Sequence, residues 1–546
     1  MRSYYFIYIL IFLPLFSTAQ ESWLKASSSQ APFTSHRFYD GTYRGEYFYW
    51  WGDLWRDVIF DDFSASIPPD DDTHDAFLLQ TDVIGNAQNL IHLSGSGYER
   101  IEGMTFGPDG TFWLTGFFSE VLEMPGLSLS STGFYDGFIL QLQPDGSIVQ
   151  AFHFPMDDFM GAINFRSIRM DQEGNLWVCA NFAGSITLGE DTYQGGSNQD
   201  GLVVKLKTNG EVLKVVQFDS DNSGEEGGFV DLTSLEIDAL GRVVVGGGMS
   251  GVVEVGDVIG DYGPGQCFVS TYNIEGDMEW MQVFTSGYSL INTITAIPGG
   301  GVIAGAQFQN SFDFGEETIV GSGSFADMVV FALAEDGTPA WIKAFTKSSA
   351  APTGGVYPIS LDYQNGQIFL GGFYDGMVLY EGNVLLNHPD QQAYLMQFTA
   401  GEEQPTAHAF EGGGYSRINA IATSPAGVGY AGEFAGGLVF QNFGVPGINS
   451  TLFYGLLSEM LSSNGEIQED ERSISLHPNP ASEYCYVTNP VPGQLTVYNI
   501  DGKLMYTESL FSGTVRLDVS KWPAGNYVYR WESEENVEVG QIHINR

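Results

Sequence analysis

The chain of 546 residues contains 67 Asp and Glu against 21 Lys and Arg, which gives a formal net charge of −46. A protein this anionic repels phosphate groups and anionic lipid surfaces, so its composition excludes nucleic acid as a partner. Its 43% hydrophobic and 14% aromatic residues exclude an intrinsically disordered chain, and its 69 glycines predict many turns.

The N-terminal segment has the layout of a secretory signal peptide. Arg2 precedes an apolar run from Tyr4 to Phe16, and small residues follow it. This run is shorter than the ~20 residues that a membrane-spanning helix needs, and no later segment is long and apolar enough. We therefore predict a cleaved signal peptide at residues 1–19 and no transmembrane segment in the mature chain.

Residues 20–465 contain seven repeats of roughly 60 residues each. One strand pattern, a glycine followed by apolar and then small residues, begins at Gly45, Gly110, Gly174, Gly241, Gly300, Gly366 and Gly427. A second strand pattern keeps step with it and begins at Asp75, Asp136, Asp200, Gln266, Asp327, Gln392 and Thr451. Apolar runs before the first pattern and after the second give each full repeat four strands. We predict an all-β, seven-bladed β-propeller with four-stranded blades, and an open solenoid is the alternative.

The fourth strand that the seventh repeat lacks is found at the other end of the chain. The segment SWLKASSS, which starts at Ser22, matches AWIKAFTKSS, which closes the fifth repeat from Ala340. Because propellers close by sharing one blade between the two termini, we predict that residues 22–28 form the outer strand of the seventh blade. This closure favours a propeller over a solenoid, whose end repeats need polar caps.

The repeats resemble the β-propeller repeats of the SBBP type in bacterial secreted proteins. In that family a D-x-F-[VI]-x-K strand, a turn glycine and a closing aromatic residue recur, and the resemblance covers roughly residues 22–465. Gln266 and Gln392 depart from the family's aspartate. The resemblance implies a propeller and does not indicate a ligand.

Aspartates at the start of the second pattern occupy the same place in four repeats: Asp75, Asp136, Asp200 and Asp327. They could be catalytic or bind a metal ion. Because they are placed identically in successive repeats, we instead expect them to accept hydrogen bonds from backbone N–H groups of the turn that enters the strand.

Calcium is the candidate cofactor, because acidic, glycine-rich loops of an exported protein supply oxygen ligands. One acidic cluster contains Asp70, Asp71, Asp72 and Asp75, and the other contains Asp219, Asp221, Glu225 and Glu226. The second cluster begins like an EF-hand loop, but Val230 stands where such a loop needs a bidentate glutamate, so an EF-hand is excluded. Solvated acidic loops are the alternative at both places.

The first repeat is dense in aromatic residues between Tyr47 and Trp55, as is typical of platforms on which sugar rings stack. Because blades pack on both faces, we expect the aromatic residues within the strand to belong to the core. Trp55 lies beyond the strand and is the candidate ligand-binding residue.

Local motifs of disulfide frameworks, zinc sites and common enzymes are missing from the sequence. Cys179, Cys267 and Cys485 lie in unrelated segments, so we expect three buried, unpaired thiols. The sequence contains no CxxC, HExxH, GxSxG or Walker motif. Catalytic groups of a propeller come from separate blades and leave no local motif, so an enzyme is not excluded.

After an acidic linker at residues 466–472, residues 473–546 alternate short strands with Gly and Pro turns and predict a small β-sandwich. The residues with a recognisable pattern are Pro478, Asn479, Pro480, Gly502, Lys503, Gly525 and Tyr527. Their order and C-terminal position resemble the type A sorting domain of the type IX secretion system of Bacteroidota. The resemblance implies that this secretion machinery is a partner. It also implies transport across the outer membrane, usually with removal of the domain, so that the protein is released or stays on the cell surface.

These observations predict an exported binding module that meets a glycan or a protein where the central channel of the ring opens. A secreted hydrolase or lyase acting on polysaccharide is the alternative from another class, and a structural envelope component is a third. An enzyme would have a deep, polar channel mouth with convergent carboxylates or histidines, whereas a binding module would have a shallower face with exposed aromatic residues. The charge of the chain further disfavours an acidic partner unless calcium bridges the two.

Overall fold

The computed structural model describes most of the chain after the N-terminal segment. The described residues are 23–28, 36–67, 73–221, 227–263, 265–323, 326–348, 354–401, 404–440, 443–445, 451–458, 475–477, 484–489, 493–499, 503–510, 513–533 and 537–544. The chain divides into two compact units, residues 1–461 and 462–546. Every helix or strand within the described ranges is a β-strand, so no helix there could cross a membrane.

The strands of the first unit follow the seven repeats. Repeat 1 contains β2 (Arg37–Arg44), β3 (Tyr47–Leu54), β4 (Val58–Phe60), β5 (Phe63–Ala65), β6 (Asp75–Asp82) and β7 (Ala87–Gly95). Repeat 2 contains β8 (Glu99–Phe106), β9 (Phe112–Phe118), β10 (Val121–Met124), β11 (Leu127–Ser130), β12 (Asp136–Leu142) and β13 (Ile148–Phe154). Repeat 3 contains β14 (Ala162–Met170), β15 (Leu176–Leu188), β16 (Asp191–Leu206) and β17 (Val212–Ser220). Repeat 4 contains β18 (Phe229–Ile237), β19 (Val243–Ser250), β20 (Val252–Val255), β21 (Val258–Asp261), β22 (Gln266–Tyr272) and β23 (Met278–Val283).

The remaining repeats follow the same plan. Repeat 5 contains β24 (Ser286–Ala296), β25 (Val302–Phe314), β26 (Glu317–Val320), β27 (Asp327–Leu333) and β28 (Pro339–Lys347). Repeat 6 contains β29 (Val356–Gln364), β30 (Gln367–Tyr380), β31 (Asn383–Phe398) and β32 (Thr406–Gly412). Repeat 7 contains β33 (Ser416–Ser424), β34 (Gly427–Phe434), β35 (Leu438–Phe440), β36 (Phe443–Val445) and β37 (Thr451–Leu457), and β1 (Trp23–Ala26) precedes repeat 1.

Antiparallel pairing of four main strands is the common element of the repeats, as in the order β8, β9, β12, β13 of repeat 2. In that repeat the second and third strands, Phe112–Phe118 and Asp136–Leu142, are buried along their whole length. They read as nearly continuous apolar runs because both faces of the sheet are covered.

Extra hairpins join neighbouring sheets, which the sequence did not predict. In several repeats the connection between the second and third strands forms a hairpin whose first strand pairs with the fourth strand of the preceding repeat. The pairs are β10 with β7, β20 with β17, β30 with β28 and β35 with β32. The prediction of separate four-stranded sheets is therefore too simple, and hairpins cover some of the outer edges.

The N-terminal strand β1 pairs antiparallel with β37 of repeat 7, where the sequence predicted it, with Trp23 opposite Leu456. The pairing continues beyond the strand, since the Ser27 N–H donates to the Leu452 carbonyl oxygen at 2.9 Å. Trp23 Nε1 also donates to the carbonyl oxygen of Val83 in repeat 1, at 3.0 Å. The first described segment thus contacts both the last repeat and the first.

The core lies between the sheets. Within the described residues, a buried apolar cluster lies between each repeat and the next, and repeats 7 and 1 share one that contains Trp50 and Tyr454. The first strands contact one another in the same cyclic order, from β2 through β8, β14, β18, β24 and β29 to β33 and back to β2. This arrangement places the seven first strands around a common centre.

The second unit is a two-layered β-structure. Its strands are β38 (Ser475–His477), β39 (Tyr484–Asn489), β40 (Gly493–Asn499), β41 (Leu504–Leu510), β42 (Gly513–Asp518), β43 (Gly525–Ser533) and β44 (Val537–Ile544). They form a three-stranded sheet and a four-stranded sheet. Buried residues of both sheets, including Val487 and Trp531, share one apolar core.

Candidate functional site

A cavity of about 660 Å³ lies at the centre of the first unit. All seven first strands contribute to its lining. In chain order, the lining includes Tyr39, Glu102, Arg166, Thr233, Asn292, Ile359 and Ile421, one residue from each strand. This volume is within the range usual for small-ligand sites, and the lining is polar. The cavity is therefore the first place to look for a binding site.

A shift in strand register, as produced by a β-bulge, occurs at the same level in every first strand. The residues at the shift are Tyr39, Glu102, Arg166, Thr233, Asn292, Ile359 and Asn419. A bulge inserts one extra residue and re-aims its side chain. Six of the seven line the cavity, all except Asn419, so the repeated irregularity presents a ring of variable side chains near one end of it.

Four arginines form an arc on the first strands of repeats 7, 1, 2 and 3, and two of them, Arg100 and Arg166, line the cavity. Arg100 Nε lies 2.6 Å from Glu102 Oε1, and Arg166 Nη1 lies 3.4 Å from the same oxygen. On the other side, Arg37 Nε lies 3.5 Å and Arg417 Nη1 lies 3.9 Å from the carboxylate of Glu433. Each glutamate is thus shared by two arginines.

The guanidinium groups of this arginine arc face solvent more than their partners do. The side chains of Glu102 and Glu433 are 7% and 4% exposed, whereas the arginine side chains are between 21% and 47% exposed. A guanidinium has five N–H donors, and one ion pair uses at most two of them. The buried glutamates therefore fix the arginines and leave donors for a ligand.

A hydrogen-bond network centred on Asp53 adjoins the arc. Tyr39 and Tyr98 donate their hydroxyl groups to Asp53 Oδ2 at 2.8 and 3.2 Å, and His74 Nδ1 lies 3.4 Å from the same oxygen. Burial alone would raise the pKa of Asp53, but hydrogen bonds from His74 and Tyr39 outweigh it and lower that pKa. Burial, and then the Asp53 charge, raise the pKa of Tyr39 well above its ordinary value. At neutral pH, Asp53 is a carboxylate that accepts from neutral tyrosines.

The predicted ligand residue Trp55 lies beside this network. Its ring is parallel to that of His74, with centroids 6.1 Å apart. Its backbone N–H donates to Nδ1 of the buried His36 at 3.4 Å. Burial lowers the pKa of His36 to about 4, so this histidine is neutral at pH 7 and can accept. The strand residues Phe48, Trp50 and Trp51 are buried in the core, as predicted.

Further rings continue from Trp55 to form an aromatic track. The centroid of His74 is 4.7 Å from that of Tyr98, which stacks on Phe117 at 5.9 Å. Phe117 in turn contacts Tyr135 at 4.9 Å, and Tyr135 contacts Phe134 at 4.6 Å. The track ends at an apolar patch in which Phe134, Phe159 and Met160 are 56%, 78% and 76% exposed.

Deeper in the cavity the charged residues are mostly acidic. Asp40, Glu236 and Asp362 line it together with Arg169, which forms a close ion pair with Glu236. Burial raises the pKa of Asp40 to about 7, with a further contribution from Glu236 and Asp362. Burial also raises the pKa of Asp362, although the backbone N–H of Thr423 donates to its carboxylate at 2.7 Å. The arginine arc thus contrasts with an acidic interior.

Three of the four repeated aspartates, Asp136, Asp200 and Asp327, accept from backbone N–H groups as predicted, and the prediction is wrong for Asp75. Asp136 accepts hydrogen bonds from the N–H groups of Thr132, Gly133 and Met156. Asp200 and Asp327 accept from backbone N–H groups in the same way. Asp75 instead contacts a side chain, with His92 Nε2 2.5 Å from Oδ2.

The candidate calcium ligands do not come together in the described residues. Asp70, Asp71, Asp72, Glu225 and Glu226 lie outside those residues. Asp219 lies next to Asp200, and burial followed by the Asp200 charge raises its pKa. Within the described ranges, no group of three or more His, Cys, Asp or Glu side chains is arranged to hold a metal ion. The three cysteines are buried and form no disulfide with one another, as predicted.

Part of the sorting pattern is described by the structure. Pro478, Asn479, Pro480 and Gly502 lie outside the described residues. Lys503 pairs with Asn499 across the β40–β41 hairpin, where its backbone N–H donates to Asn499 Oδ1 at 2.8 Å. Gly525 opens β43 with a φ of 145°. The buried Tyr527 donates its hydroxyl group to the Pro523 carbonyl oxygen at 2.7 Å.

Sequence reasoning missed the arginine arc because its members are far apart in the chain. A repeated sequence position could have revealed three of them. Arg37, Arg100 and Arg417 each directly precede a buried apolar residue at the same place in a first strand, and those residues are Phe38, Ile101 and Ile418. The Asp53 network carries no such repeated signal, because only repeat 1 supplies Asp53 and His74.

Comparisons with solved structures return only distant likeness. A protein of unknown function from Dyadobacter fermentans is 9% identical, with a TM-score of 0.37, and the match covers 80% of this chain and 99% of that one. A protein of unknown function from Bacteroides caccae is 12% identical, with a TM-score of 0.24, over 57% of this chain and 94% of that one. Trypanosoma rangeli sialidase is 10% identical, with a TM-score of 0.28, and the match covers 84% of this chain and 86% of the sialidase chain. At these scores none of the three supports a conclusion about fold or activity.

Comparison with protein families identifies the C-terminal unit. No curated protein matches the chain. The family model of the secretion system C-terminal sorting domain matches residues 475–545, the segment in which the sequence predicted such a domain. The protein therefore carries a secretion system C-terminal sorting domain and is exported to the cell surface or the extracellular space.

Proposed function

We propose that this protein is an extracellular binding module of a Bacteroidota species, delivered by the type IX secretion system, whose ligand binds at the arginine-lined end of the central cavity. The observation that carries the proposal is the convergence of arginines from four repeats at one cavity of about 660 Å³: Arg100 and Arg166 line it, and Arg37 and Arg417, which share Glu433, lie next to that lining. In a chain with a net charge of −46, such a convergence of cations on one site indicates recognition of a ligand.

A closed seven-bladed β-propeller is the proposed scaffold, spanning residues 20–465 and followed by the linker 466–472 and the sorting domain 473–546. The cyclic contacts of the seven first strands support closure, as do the apolar cluster between repeats 7 and 1 and the pairing of β1 with β37. The SBBP-like repeat pattern is consistent with this scaffold. Calcium remains a candidate cofactor only for the acidic segments outside the described residues.

Thermal-shift and calorimetric screening of the full chain against glycan and peptide panels tests the proposed function. Each ligand found is then titrated against Arg37→Gln, with Arg242→Gln as the matched control, because Arg242 pairs with Asp238 in the turn between β18 and β19. We expect weaker binding by the first variant only. Equal affinities of the two variants for every ligand would place binding elsewhere and refute the proposed site.

Polysaccharide cleavage is the second candidate function, and the Asp53 network favours it. His74 has Nδ1 against the buried carboxylate of Asp53, which is the orientation that a general base needs when its other ring nitrogen acts on a substrate. Tyr39 of the network lines the polar cavity, and a deep, polar site is what distinguishes an enzyme from a shallow binding face. Incubation with polysaccharides, analysed for reducing ends and for new unsaturated ends, would detect hydrolase or lyase activity. If such activity is found, His74→Ala should abolish it and His388→Ala, at a half-buried histidine of repeat 6, should not.

A further inference from the structure

We propose that the ligand is a carboxylate-bearing glycan, whose acidic groups bind the arginine arc while a sugar ring packs on the aromatic track that starts at Trp55. This inference rests on the proposed function and names the ligand class of the same site. Two independent features carry it, one cationic and one aromatic.

The cationic feature matches carboxylates rather than uncharged sugars. Arg100 and Arg166 share the buried Glu102, and Arg37 and Arg417 share the buried Glu433, so four guanidinium groups are held by two carboxylates. Planar guanidinium groups bind carboxylates through paired, charge-assisted hydrogen bonds. The buried Arg166 Nε and Asn292 Oδ1, on two cavity-lining residues, also have no hydrogen-bond partner within the described part of the chain.

The aromatic feature matches the apolar faces of sugar rings. Five consecutive ring contacts connect the six side chains of the track, which are Trp55, His74, Tyr98, Phe117, Tyr135 and Phe134. Trp55, His74, Tyr98 and Tyr135 are partly exposed, and Phe134 at the end is 56% exposed. Exposed, contiguous aromatic surface bordered by polar groups marks an interaction site.

Arg100 connects the two features. Its guanidinium carbon lies 3.6 Å from the ring centroid of Tyr39 and 5.8 Å from that of Phe117 in the track. A uronic acid combines a ring with apolar faces and a carboxylate on that same ring, so one residue of such a glycan can contact both features. The cavity, at about 660 Å³, has the size of a small-ligand site and would accept the end of a glycan chain rather than a protein surface.

Calorimetric titration of the full chain with short oligomers of three uronate-containing glycans tests the proposal: polygalacturonate, polymannuronate and hyaluronan. Fully methyl-esterified galacturonate oligomers are the matched probe, because they keep the ring and lose the negative charge. We expect at least one acidic oligomer to bind. If galacturonate binds, its ester should bind about tenfold more weakly or worse, as expected for the loss of charge-assisted hydrogen bonds.

Variants then separate the two features. Arg37→Gln and Trp55→Ala should each weaken binding of the acidic oligomer by roughly tenfold, and Arg242→Gln should leave it unchanged. Circular dichroism spectra and melting temperatures close to those of the parent protein would show that these variants are folded. Arg37 is 47% exposed, so its replacement should not disturb the core.

The outcomes distinguish failure of the inference from failure of the proposed function. Equal affinity for the galacturonate oligomer and its ester, or binding of neutral or sulfated glycans alone, would overturn the inference and keep the binding module. Absence of binding to all three uronate-containing glycans would also overturn it. Absence of any ligand in the glycan and peptide panels would overturn the proposed function itself.

Discussion

Replacing Trp23 by alanine should weaken the contact between the N-terminal strand and the last repeat. The indole packs edge-on against Tyr454, with centroids 5.8 Å apart, and donates a hydrogen bond to the Val83 carbonyl oxygen at 3.0 Å. Gly85, with a φ of +86°, allows this close approach, since a Cβ there would lie 2.6 Å from the indole ring. One side chain thus links β1, β37 and the turn between β6 and β7.

The expected loss of stability follows from these contacts. Removing a fully buried tryptophan costs about 3–5 kcal/mol. Trp23 is only partly buried, so we expect the lower figure of roughly 2–3 kcal/mol, of which about 1 kcal/mol is the hydrogen bond. An unfolding entropy of about 2.1 cal/mol/K per residue over roughly 430 residues converts this loss to a decrease of about 3 °C in melting temperature.

Limited proteolysis with trypsin locates the effect. Lys25 lies in β1 and its Nζ is 3.3 Å from Asp61 Oδ2, so detachment of the strand exposes a tryptic site. We expect Trp23→Ala to accelerate cleavage after Lys25, as measured by mass spectrometry. Trp341→Ala, at the aligned position of repeat 5, is the matched control and should leave this cleavage rate unchanged. Equal cleavage rates in parent and Trp23→Ala protein, with an unchanged melting temperature, would refute the role of β1 in closing the first unit.

Three further predictions concern charge. The raised pKa of Asp40, about 7, means that the folded protein retains a proton that the unfolded chain loses above pH 4. Stability should therefore fall as the pH rises from about 4 to about 7, and this group should cause no further change at higher pH. A three-unit pKa shift corresponds to about 4 kcal/mol, and we expect about 1–2 kcal/mol because Asp40 lines a cavity. Chemical denaturation at several pH values should show a shallower dependence of the unfolding free energy on pH for Asp40→Asn than for the parent protein. Asp136→Ala should cost about 3 kcal/mol, because three backbone N–H groups lose their acceptor, whereas Asp191→Ala, at an exposed site, should change the unfolding midpoint little. In stopped-flow experiments, added salt should accelerate association of an acidic oligomer, because salt screens the long-range repulsion of a chain with a net charge of −46. Salt should also accelerate dissociation of the oligomer, because it screens the short-range attraction of the arginines. A monotonic fall in the association rate with added salt would contradict this reasoning.

The strand pattern could be predicted from the sequence because burial constrains it. Five of the seven predicted third-strand starts are the first residues of observed strands, and they are Asp75, Asp136, Gln266, Asp327 and Thr451. The other two positions fall inside longer strands, β16 and β31, that continue into hairpins. From the predicted starts onward the third strands are almost fully buried, so their apolar runs are nearly continuous and easily recognised.

The hairpins, the bulges and the site were harder to predict. The strands of the hairpin at Val121–Met124 and Leu127–Ser130 are four residues long and partly exposed, so their sequences have little apolar pattern. A bulge depends on how two strands pair, and no residue type marks it in the sequence. The arginine arc depends on which repeats are neighbours in space, and the contact between β33 and β2 brings Arg417 and Arg37 to the same glutamate, Glu433.

The bulges in the first strands separate the lining of the cavity from the core. The buried residue before the bulge, such as Phe38, Ile101 or Phe165, belongs to the apolar clusters between the sheets. Tyr39 packs against one of these clusters, whereas Glu102 and Arg166 are polar residues that line the cavity. Six bulge positions, one in each of repeats 1 to 6, line the cavity, so its chemistry can change one repeat at a time while the strands that enclose it stay the same.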